Sequence, residues 1–273
     1  MRLGIALGGG AGLGWAHIGV LRVFETEGVD IDVISGTSIG AIVGACAAAD
    51  MLDELEELAR DVGYKDMFMM SEFGFKQGGL IGAGKIERKM REYFGIKTIE
   101  QLQKPFAAVA VDIFTGEQID LDSGDVVTAV RASSAIPGVL PPIETGHMML
   151  VDGGLVDPVP VRAARNLGAD FVVGVDLQND YENRVRSYGL EPGGPNKRAA
   201  FKTARAGAAL LLKTLGKLRM GIDKPELVIA PNIGHIEVAD FTKADDLIAL
   251  GKKAAYDVLP DLEHMLKNAE KAS

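Results

Sequence analysis

The first 49 residues contain the same three-part pattern twice, and this repeat constrains the fold more than any other feature. An apolar run at residues 2–7 ends in three consecutive glycines, and residues 15–28 then have apolar side chains at helical spacing. Residues 30–34 are a second apolar run, followed by a glycine-bounded turn at 36–40 and an Ala-rich helical segment at 39–49. Strands that alternate with helices form parallel sheets covered by helices on both faces. We therefore expect an α/β fold of three layers around a mostly parallel central sheet.

The rest of the chain continues this alternation. Further strands are predicted at residues 107–113, 117–121, 148–151, 171–176 and 227–230. Further helices are predicted at residues 52–62, 85–94, 126–133, 161–167, 198–218 and 243–269, the last of them broken at Pro260. Apart from this local pattern the chain has no internal sequence repeat, and its length of 273 residues indicates a single domain over residues 1–273.

Two segments interrupt the alternation. Residues 64–84 are rich in Met, Phe and Gly and show no clear period. Adaptable Met side chains and glycines would suit a mobile apolar cover over a site, although an irregular part of the core could have the same composition. Residues 179–196 are polar and contain Gly and Pro, which predicts a mobile loop.

Charge and cysteine content limit the partners and the compartment. The formal charge of −9 argues against nucleic acid, because phosphate binding requires a basic surface. A single cysteine, Cys46, excludes a disulfide framework and a thiolate metal cluster and favours a reducing compartment. Residues 3–21 carry no formal charge, but seven of them are glycines, which is a poor composition for a signal peptide or a membrane-spanning helix. We predict a cytoplasmic protein with an intact N-terminus and leave its oligomeric state open.

Residues 36–40 read Gly-Thr-Ser-Ile-Gly and match the pattern G-x-S-x-G. A predicted strand precedes this segment and a predicted helix follows it. A sharp turn between strand and helix exposes the Ser hydroxyl, and small neighbours let a substrate approach it. The alternative is that Ser38 only caps the helix, since Ser is a favoured N-cap residue. The setting favours Ser38 as a nucleophile.

The glycine-rich residues 8–14 are candidates for an oxyanion hole, which a Ser nucleophile needs. Glycines let backbone amides turn inward, and the following helix adds positive potential at its N-terminus. The predicted donors are the amides of Gly8, Gly9, Gly10, Ala11 and Gly12. Nucleotide binding is disfavoured, because Leu13 and Trp15 stand where the two common phosphate-binding motifs require Gly and Lys. A loop that only allows strand and helix to pack closely remains open.

Four segments, in order, resemble the sequence blocks of bacterial patatin-like phospholipases. The blocks are residues 8–21, 36–41, 132–138 and 151–154. They extend over more than half of the chain. The resemblance implies a patatin-like fold and hydrolysis of lipid acyl esters by a Ser-Asp dyad, with the glycine loop as oxyanion hole. It makes Ser38 the nucleophile and Asp152 its partner, and it implies no cofactor and no metal.

Asp152 is also reasonable on physical grounds. It follows a predicted strand and precedes two glycines, so it is expected at the carboxyl edge of the sheet, where Ser38 should also lie. A hydroxyl nucleophile needs an adjacent base. Taken alone, Asp-Gly-Gly would be an ordinary turn. Within the third block, Ser133 and Ser134 are expected to shape the pocket and not to attack.

One position departs from the family pattern. The first block usually carries an Arg at the position of Leu13, so the resemblance implies weaker contact with anionic headgroups and favours neutral esters or lysolipids. The residues expected to line the substrate pocket are Leu13, Pro137, Met67 and Phe68. A lipid substrate would also involve transient contact with a membrane surface.

Several alternatives remain at this stage. The same dyad could transfer an acyl group to an alcohol or thiol, and a silent binding or regulatory protein could keep the fold. A Ser-His-Asp triad is permitted by chain order, because His235 and His264 follow Asp152. His147 should point away from Asp152 on a regular strand, and His17 is expected to pack or to bond the backbone. We predict that none of the four histidines is the general base.

Overall fold

The predicted alternation of strands and helices is confirmed by the computed structural model, which describes residues 1–61, 87–88, 90–92, 95, 97–193 and 199–272. The strands are β1 (Leu3–Leu7), β2 (Val33–Thr37), β3 (Phe106–Asp112), β4 (Gln118–Leu121), β5 (Ile143–Thr145), β6 (Met148–Asp152), β7 (Phe171–Val175) and β8 (Leu227–Ile229). The helices are α1 (Trp15–Thr26), α2 (Ile39–Ala48), α3 (Leu52–Asp61), α4 (Val126–Ser133), α5 (Val161–Asn166), α6 (Tyr181–Ser187), α7 (Ala199–Asp223) and α8 (Ala244–Ala272). The segment predicted as a cover, residues 64–84, lies outside the described residues.

All of these strands belong to one mixed sheet in the order β5-β6-β3-β2-β1-β7-β8, with β4 paired to β3. The adjacent strands β3, β2, β1, β7 and β8 are all parallel to one another. At the β3 side of the sheet, β4, β5 and β6 form antiparallel pairs. Parallel strands must end at the same edge of a sheet. The loops after β1 and β2, which carry the predicted catalytic motifs, are therefore neighbours.

The side chains of β1 show the three-layer arrangement. Leu3, Ile5 and Leu7 pack into a large apolar cluster with α1, α2 and α8. Ala6 points to the other face, into a smaller cluster with Val161 and other residues at α5. Successive residues of a strand alternate between the faces of the sheet, so β1 has apolar neighbours on both. The predicted α/β class with a mostly parallel sheet between helical layers is confirmed.

Helices α1 and α8 cross at two glycines. A Cβ atom on Gly19 would lie 2.1 Å from the Ile248 carbonyl oxygen, and one on Gly251 would lie 2.0 Å from that of Ala16. Real Cβ atoms do not approach backbone oxygens so closely, so both positions require glycine. The crossing anchors α1, the helix that follows the glycine loop.

Four local predictions differ from the structure. β2 begins and ends three residues later than predicted, because its pairing with β1 and β3 extends over residues 33–37. The three-residue strand β5 was not predicted. The predicted loop at 179–196 contains α6, whose Arg184 is buried. α8 continues through Pro260, because Leu259 and Leu262 are buried on either side of it.

Candidate active site

Ser38 joins β2 directly to α2 and adopts a backbone conformation that few side chains tolerate. Its φ is 58° and its ψ is −123°. A non-glycine residue in a sparsely populated region of this kind is strained by about 1–3 kcal/mol and persists only when its surroundings enforce it. Ser38 occupies the N-cap position of α2, but its hydroxyl makes no capping hydrogen bond to the helix. The hydroxyl is therefore available for another contact.

The two glycines of this elbow, residues 36–40, let three backbone segments meet. A Cβ atom on Gly36 would lie 2.3 Å from the carbonyl oxygen of Gly40, and one on Gly40 would lie 2.1 Å from that of Leu7. Larger residues would push these segments apart. The glycines thus bring the end of β1, and the glycine loop after it, directly against Ser38.

The hydroxyl of Ser38 bonds the carboxylate of Asp152. Ser38 Oγ donates to Asp152 Oδ2 at 2.6 Å, and the amide of Gly154 donates to Asp152 Oδ1 at 2.8 Å. Both side chains are buried. The two predicted catalytic residues are therefore in direct contact, and each carboxylate oxygen has a donor.

The strand pairing in the sheet brings Ser38 and Asp152 together. This pairing differs from the one expected from the sequence. Asp152 was expected at the end of its strand, at the carboxyl edge of a mostly parallel sheet. β6 is antiparallel to β3, and Asp152 lies opposite Ala110. In the pair of β2 with β3, Thr37 lies opposite Val109, so the next residue, Ser38, lies level with Ala110. Ser38 and Asp152 therefore meet across β3, which lies between their strands.

Burial makes Asp152 a stronger base than an exposed aspartate. It raises the pKa of Asp152 to about 6, against the opposing effect of the hydrogen bonds from Ser38 and Gly154. A carboxyl group with this pKa is mostly ionised at neutral pH, so it can accept a proton there.

Two serines hold the backbone of Ser38. The Ser38 amide donates to Ser133 Oγ at 2.9 Å, and Ser133 Oγ donates in turn to the Val109 carbonyl at 2.6 Å. Ser134 Oγ donates to the Ser38 carbonyl at 3.3 Å. Ser133 and Ser134 belong to the third family-like block, residues 132–138, and their hydrogen bonds hold the strained elbow from the side of β3.

Within the glycine loop, three of the five predicted oxyanion donors are already used. The amides of Gly8, Gly9 and Gly12 donate to the carbonyls of Val175, Pro158 and Val238 at 3.0, 2.9 and 2.8 Å. The amides of Gly10 and Ala11 donate to no other residue in the described part of the chain, and both residues are partly exposed. A Cβ atom on Gly9 would lie 3.5 Å from Ser38 Cβ, so this loop passes beside the nucleophile.

The carbonyl groups of the loop determine where its free amides point. His17 Nε2 lies 2.7 Å from the Gly8 oxygen, Gln178 Nε2 donates to the Gly9 oxygen at 3.1 Å, and the Leu13 amide donates to the Gly10 oxygen at 3.2 Å. In a planar trans peptide the C=O and the following N–H point in opposite directions. The last two bonds therefore fix the directions of the Gly10 and Ala11 N–H groups.

The four histidines differ in burial and in their hydrogen bonds. His17 is fully buried, and burial lowers its pKa to about 4, so the neutral ring donates to the Gly8 carbonyl. The predicted backbone bond of His17 is confirmed. His147, His235 and His264 are exposed, and His264 pairs with Asn268. All four histidines are described, and none bonds Ser38 or Asp152.

The predicted pocket residues do not form one group. Leu13 is fully buried in the core cluster, so it does not face an open site, and an Arg in its place would have to bury a charge. Pro137 is exposed, two residues after Ala135, whose carbonyl accepts the Asp152 amide at 3.0 Å. Met67 and Phe68 lie outside the described residues.

Two polar residues near the site were not predicted, Gln178 and Asp157. Asp157 is fully buried, and its carbonyl accepts the Thr37 hydroxyl at 2.9 Å. Burial raises the pKa of the Asp157 carboxyl to about 7, although Arg219 on α7 opposes this from 3.6 Å. The signal available in the sequence was position alone: Asp157 follows the Asp-Gly-Gly block by three residues, and Gln178 follows a strand end.

Two further properties concern the described residues as a whole. No group of three or more His, Cys, Asp or Glu side chains among them is placed to hold a metal ion. None of the described helices, including the long α7 and α8, combines the length and the hydropathy needed to cross a bilayer.

A family model and several known proteins match more than half of this chain. The patatin-like phospholipase family model matches residues 5–165. An uncharacterized NTE family protein of Mycobacterium tuberculosis is 36% identical over 185 residues, which is 68% of this chain and 51% of that protein. Patatin-like phospholipase domain-containing protein 6 of Mus musculus is 32% identical over 195 residues, 68% of this chain and 14% of that protein.

The fold also matches a solved structure. VipD from Legionella pneumophila superposes with a TM-score of 0.54 at 11% identity, covering 94% of this chain and 65% of that chain. The chain spans about half the length of the mycobacterial relatives that it matches, or less. The family match covers both segments that form the Ser38–Asp152 contact, and it confirms the resemblance seen in the four sequence blocks. This chain belongs to the patatin-like phospholipase family.

Proposed function

We propose that this chain hydrolyses carboxylic acyl esters of lipids, with Ser38 as nucleophile and Asp152 as general base. The observation that carries the proposal is the 2.6 Å hydrogen bond from the Ser38 hydroxyl to the buried Asp152 carboxylate. A serine hydroxyl is a weak nucleophile until an adjacent base accepts its proton. Family membership supports a lipid acyl ester as the substrate.

In the acylation step, Asp152 Oδ2 accepts the proton of Ser38 while Ser38 Oγ bonds to the ester carbonyl carbon. The carbonyl electron pair moves onto the carbonyl oxygen, which becomes an oxyanion. When this tetrahedral intermediate collapses, the bond to the alcohol oxygen breaks, and the alcohol leaves with the proton from Asp152. The product is an acyl ester of Ser38.

Deacylation repeats these steps with water. Asp152 accepts a proton from water, the hydroxide oxygen bonds to the acyl carbon, and the carboxylic acid leaves as Ser38 Oγ recovers the proton. The raised pKa of Asp152, about 6, suits both directions of proton transfer near neutral pH.

We assign the oxyanion hole to the amides of Gly10 and Ala11. The other three predicted donors are bonded to backbone carbonyls, and these two are free and adjacent. Two preorganised donors would stabilise the developing charge, and losing one such donor typically lowers kcat by about 10²–10³. His17 and Gln178 would act as positioning residues, because they bind the carbonyls of the same loop.

The proposed setting is cytoplasmic, since a single buried cysteine suits a reducing compartment. If the substrate is a lipid, the chain must contact a membrane or micelle surface during turnover. Neutral acyl esters and lysolipids are compatible with the same chemistry.

The test compares wild type, Ser38→Ala and the matched control Ser123→Ala on short p-nitrophenyl esters and on defined phospholipids. Ser123 is an exposed serine between β4 and α4, remote in sequence from the site. We expect Ser38→Ala to lose turnover and Ser123→Ala to keep it. An added alcohol acceptor separates hydrolysis, which releases free acid, from acyl transfer, which makes a new ester. No turnover of any ester and no reaction with a fluorophosphonate would contradict the proposal.

A further inference from the structure

Helix α7 presents to solvent a stripe of apolar side chains that nothing else in the described part of the chain covers. Its large members Phe201, Leu211, Leu218 and Ile222 are 61% to 73% exposed. The stripe consists of residues spaced alternately three and four apart: Phe201, Ala204, Ala208, Leu211, Leu215, Leu218 and Ile222. Soluble proteins rarely expose an apolar surface of this extent without a partner.

The spacing indicates which kind of partner fits. An alternation of three and four residues, kept over three heptads, is the pattern of a seam between two helices. The stripe runs for about 32 Å along α7, at about 1.5 Å per residue. On one side the flanking residues include Gly207, Thr214 and Gly221, and a Cβ atom on either glycine would meet nothing within 4 Å, whereas Arg205, Leu212 and Arg219 flank the other side. A second helix could therefore approach this face closely.

The charges of α7 argue against an anionic lipid surface. Four of its five cations contact the body of the protein, and the fifth, Lys217, is exposed beside the stripe. Arg205 pairs with Glu237 and lies over Tyr188, and Lys213 lies over Tyr181. Lys202 donates to the Gly189 carbonyl, and Arg219 contacts Asp157. A helix that binds lipid headgroups would need such cations along its apolar face, and the chain as a whole carries a charge of −9.

Side-chain size along the stripe identifies the partner. Ala204 and Ala208 make its first half narrow, whereas Leu211, Leu215 and Leu218 make its second half wide. Two parallel copies would place small against small and large against large, which leaves a gap at one end. Two antiparallel copies related by a two-fold axis place each small half against a large half.

We propose that a second copy of this chain docks on this stripe, with the two α7 helices antiparallel. In this register Phe201 faces Leu218, Ala204 faces Leu215 and Ala208 faces Leu211 of the second copy. The stripe carries no charge that would repel its own copy. Burying both stripes and the edges of their flanks removes on the order of 1,200 Å² from water, which is at the lower end of standard protein interfaces.

The first test is the mass in solution of the full chain at micromolar concentration, measured by light scattering. We expect twice the chain mass of 28.9 kDa for wild type and the mass of one chain for Leu211→Lys. Leu210→Lys is the matched control, since Leu210 is the adjacent residue, is 45% exposed and lies off the stripe. It should remain a dimer. A wild-type monomer, or a dimer unaffected by Leu211→Lys, would overturn the proposal.

The second test is the orientation of the pair. Ala204→Cys and Leu215→Cys are prepared separately, because in this register each faces the other but lies about 16 Å along the helix axis from its own copy. Cys46 does not interfere because it is buried. The antiparallel register predicts a disulfide in an equimolar mixture of the two variants and little in either alone. Disulfides formed as readily in each variant alone would overturn this register. A monomer that binds lipid vesicles, and loses this binding in Leu211→Lys, would instead assign the stripe to a lipid surface.

Discussion

The elbow at residues 36–40 and the glycine loop at residues 8–14 follow neighbouring parallel strands, yet they offer opposite chemical groups. At the elbow the amide and the carbonyl of Ser38 are both bonded, to Ser133 and Ser134, and the side chain is left to react. In the loop the carbonyls are bonded and two amides are left free. The elbow presents a side chain, and the loop presents its backbone.

This difference shows that similar strand-glycine-helix segments receive their roles from distant parts of the chain. The elbow is held from the β3 side by residues of the third sequence block. The loop is held from its other side by Gln178, which follows β7 and is 169 residues away in sequence. Variants on the two sides should therefore fail in different ways, the first in chemistry and the second in stabilisation of the oxyanion.

The largest effect is expected for Asp152→Asn, which keeps the shape of the side chain but removes the base. Without a proton acceptor beside Ser38, kcat should fall by about 10⁴ or more, as in other enzymes that lose a member of the catalytic unit. Steady-state kinetics on a p-nitrophenyl ester measure this, with circular dichroism as the folding control. A folded variant with a loss below tenfold would break the assignment of Asp152.

A smaller loss is expected for Gln178→Glu and Gln178→Ala, because both remove the donor to the Gly9 carbonyl. The Gly10 amide would then be less well directed, so kcat should fall by about 10- to 100-fold while KM changes little. Gln103→Ala is the matched control, since Gln103 is exposed and lies far from the loop in sequence. Full kcat in Gln178→Glu would show that the loop holds its shape without this bond.

The histidine variants, measured over a pH profile, separate a dyad from a triad. Protonated Asp152 cannot accept the Ser38 proton, and its pKa is about 6, so kcat/KM should fall about tenfold per pH unit below that value. His235→Ala and His264→Ala should leave both the profile and kcat nearly unchanged. If His235→Ala lost as much kcat as Ser38→Ala, His235 would be the base and Asp152 its orienting acid.

The smallest effect on activity is expected for Asp157→Asn, because Asp157 holds Thr37 through its backbone carbonyl and not through its side chain. Burial raises the pKa of the folded-state carboxyl from 3.8 to about 7, so folding binds a proton between these values and stability falls as pH rises through this window. Asn removes this penalty. The gain in unfolding free energy should be on the order of 4 kcal/mol at about pH 8 and on the order of 2 kcal/mol at about pH 5. Equal gains at both pH values would contradict this explanation.

Local patterns in the sequence were sufficient for most of the fold. Strands and helices around the two glycine segments were predicted to within a few residues, because buried parallel strands and small-residue helices have distinctive compositions. The pairing of Ser38 with Asp152 was predicted from the family blocks, but the reason for their contact was not. The position of Asp152 depends on an antiparallel pairing with β3, and local composition does not encode strand direction.

Contacts between distant segments account for the rest. Residues 179–196 read as a loop because they are polar, yet Arg184 of α6 is buried, with its guanidinium bonded to the Leu177 carbonyl. Five amides were predicted as oxyanion donors, and only Gly10 and Ala11 remain as candidates. Excluding the other three required knowing which carbonyls accept their amides. Leu13 was expected at the pocket from its place in a motif, whereas its side chain belongs to the core.

The most direct test of the central claim is detection of the acyl-enzyme. Wild type, Ser38→Ala and Asp152→Asn are mixed with a p-nitrophenyl ester, quenched in acid within the first turnover, and weighed by intact mass spectrometry with peptide mapping. The account predicts one acyl group per wild-type chain on the peptide that contains Ser38, none on Ser38→Ala, and formation slowed by about 10⁴ or more in Asp152→Asn. An acyl group on another residue, or an undiminished adduct in Ser38→Ala, would contradict it.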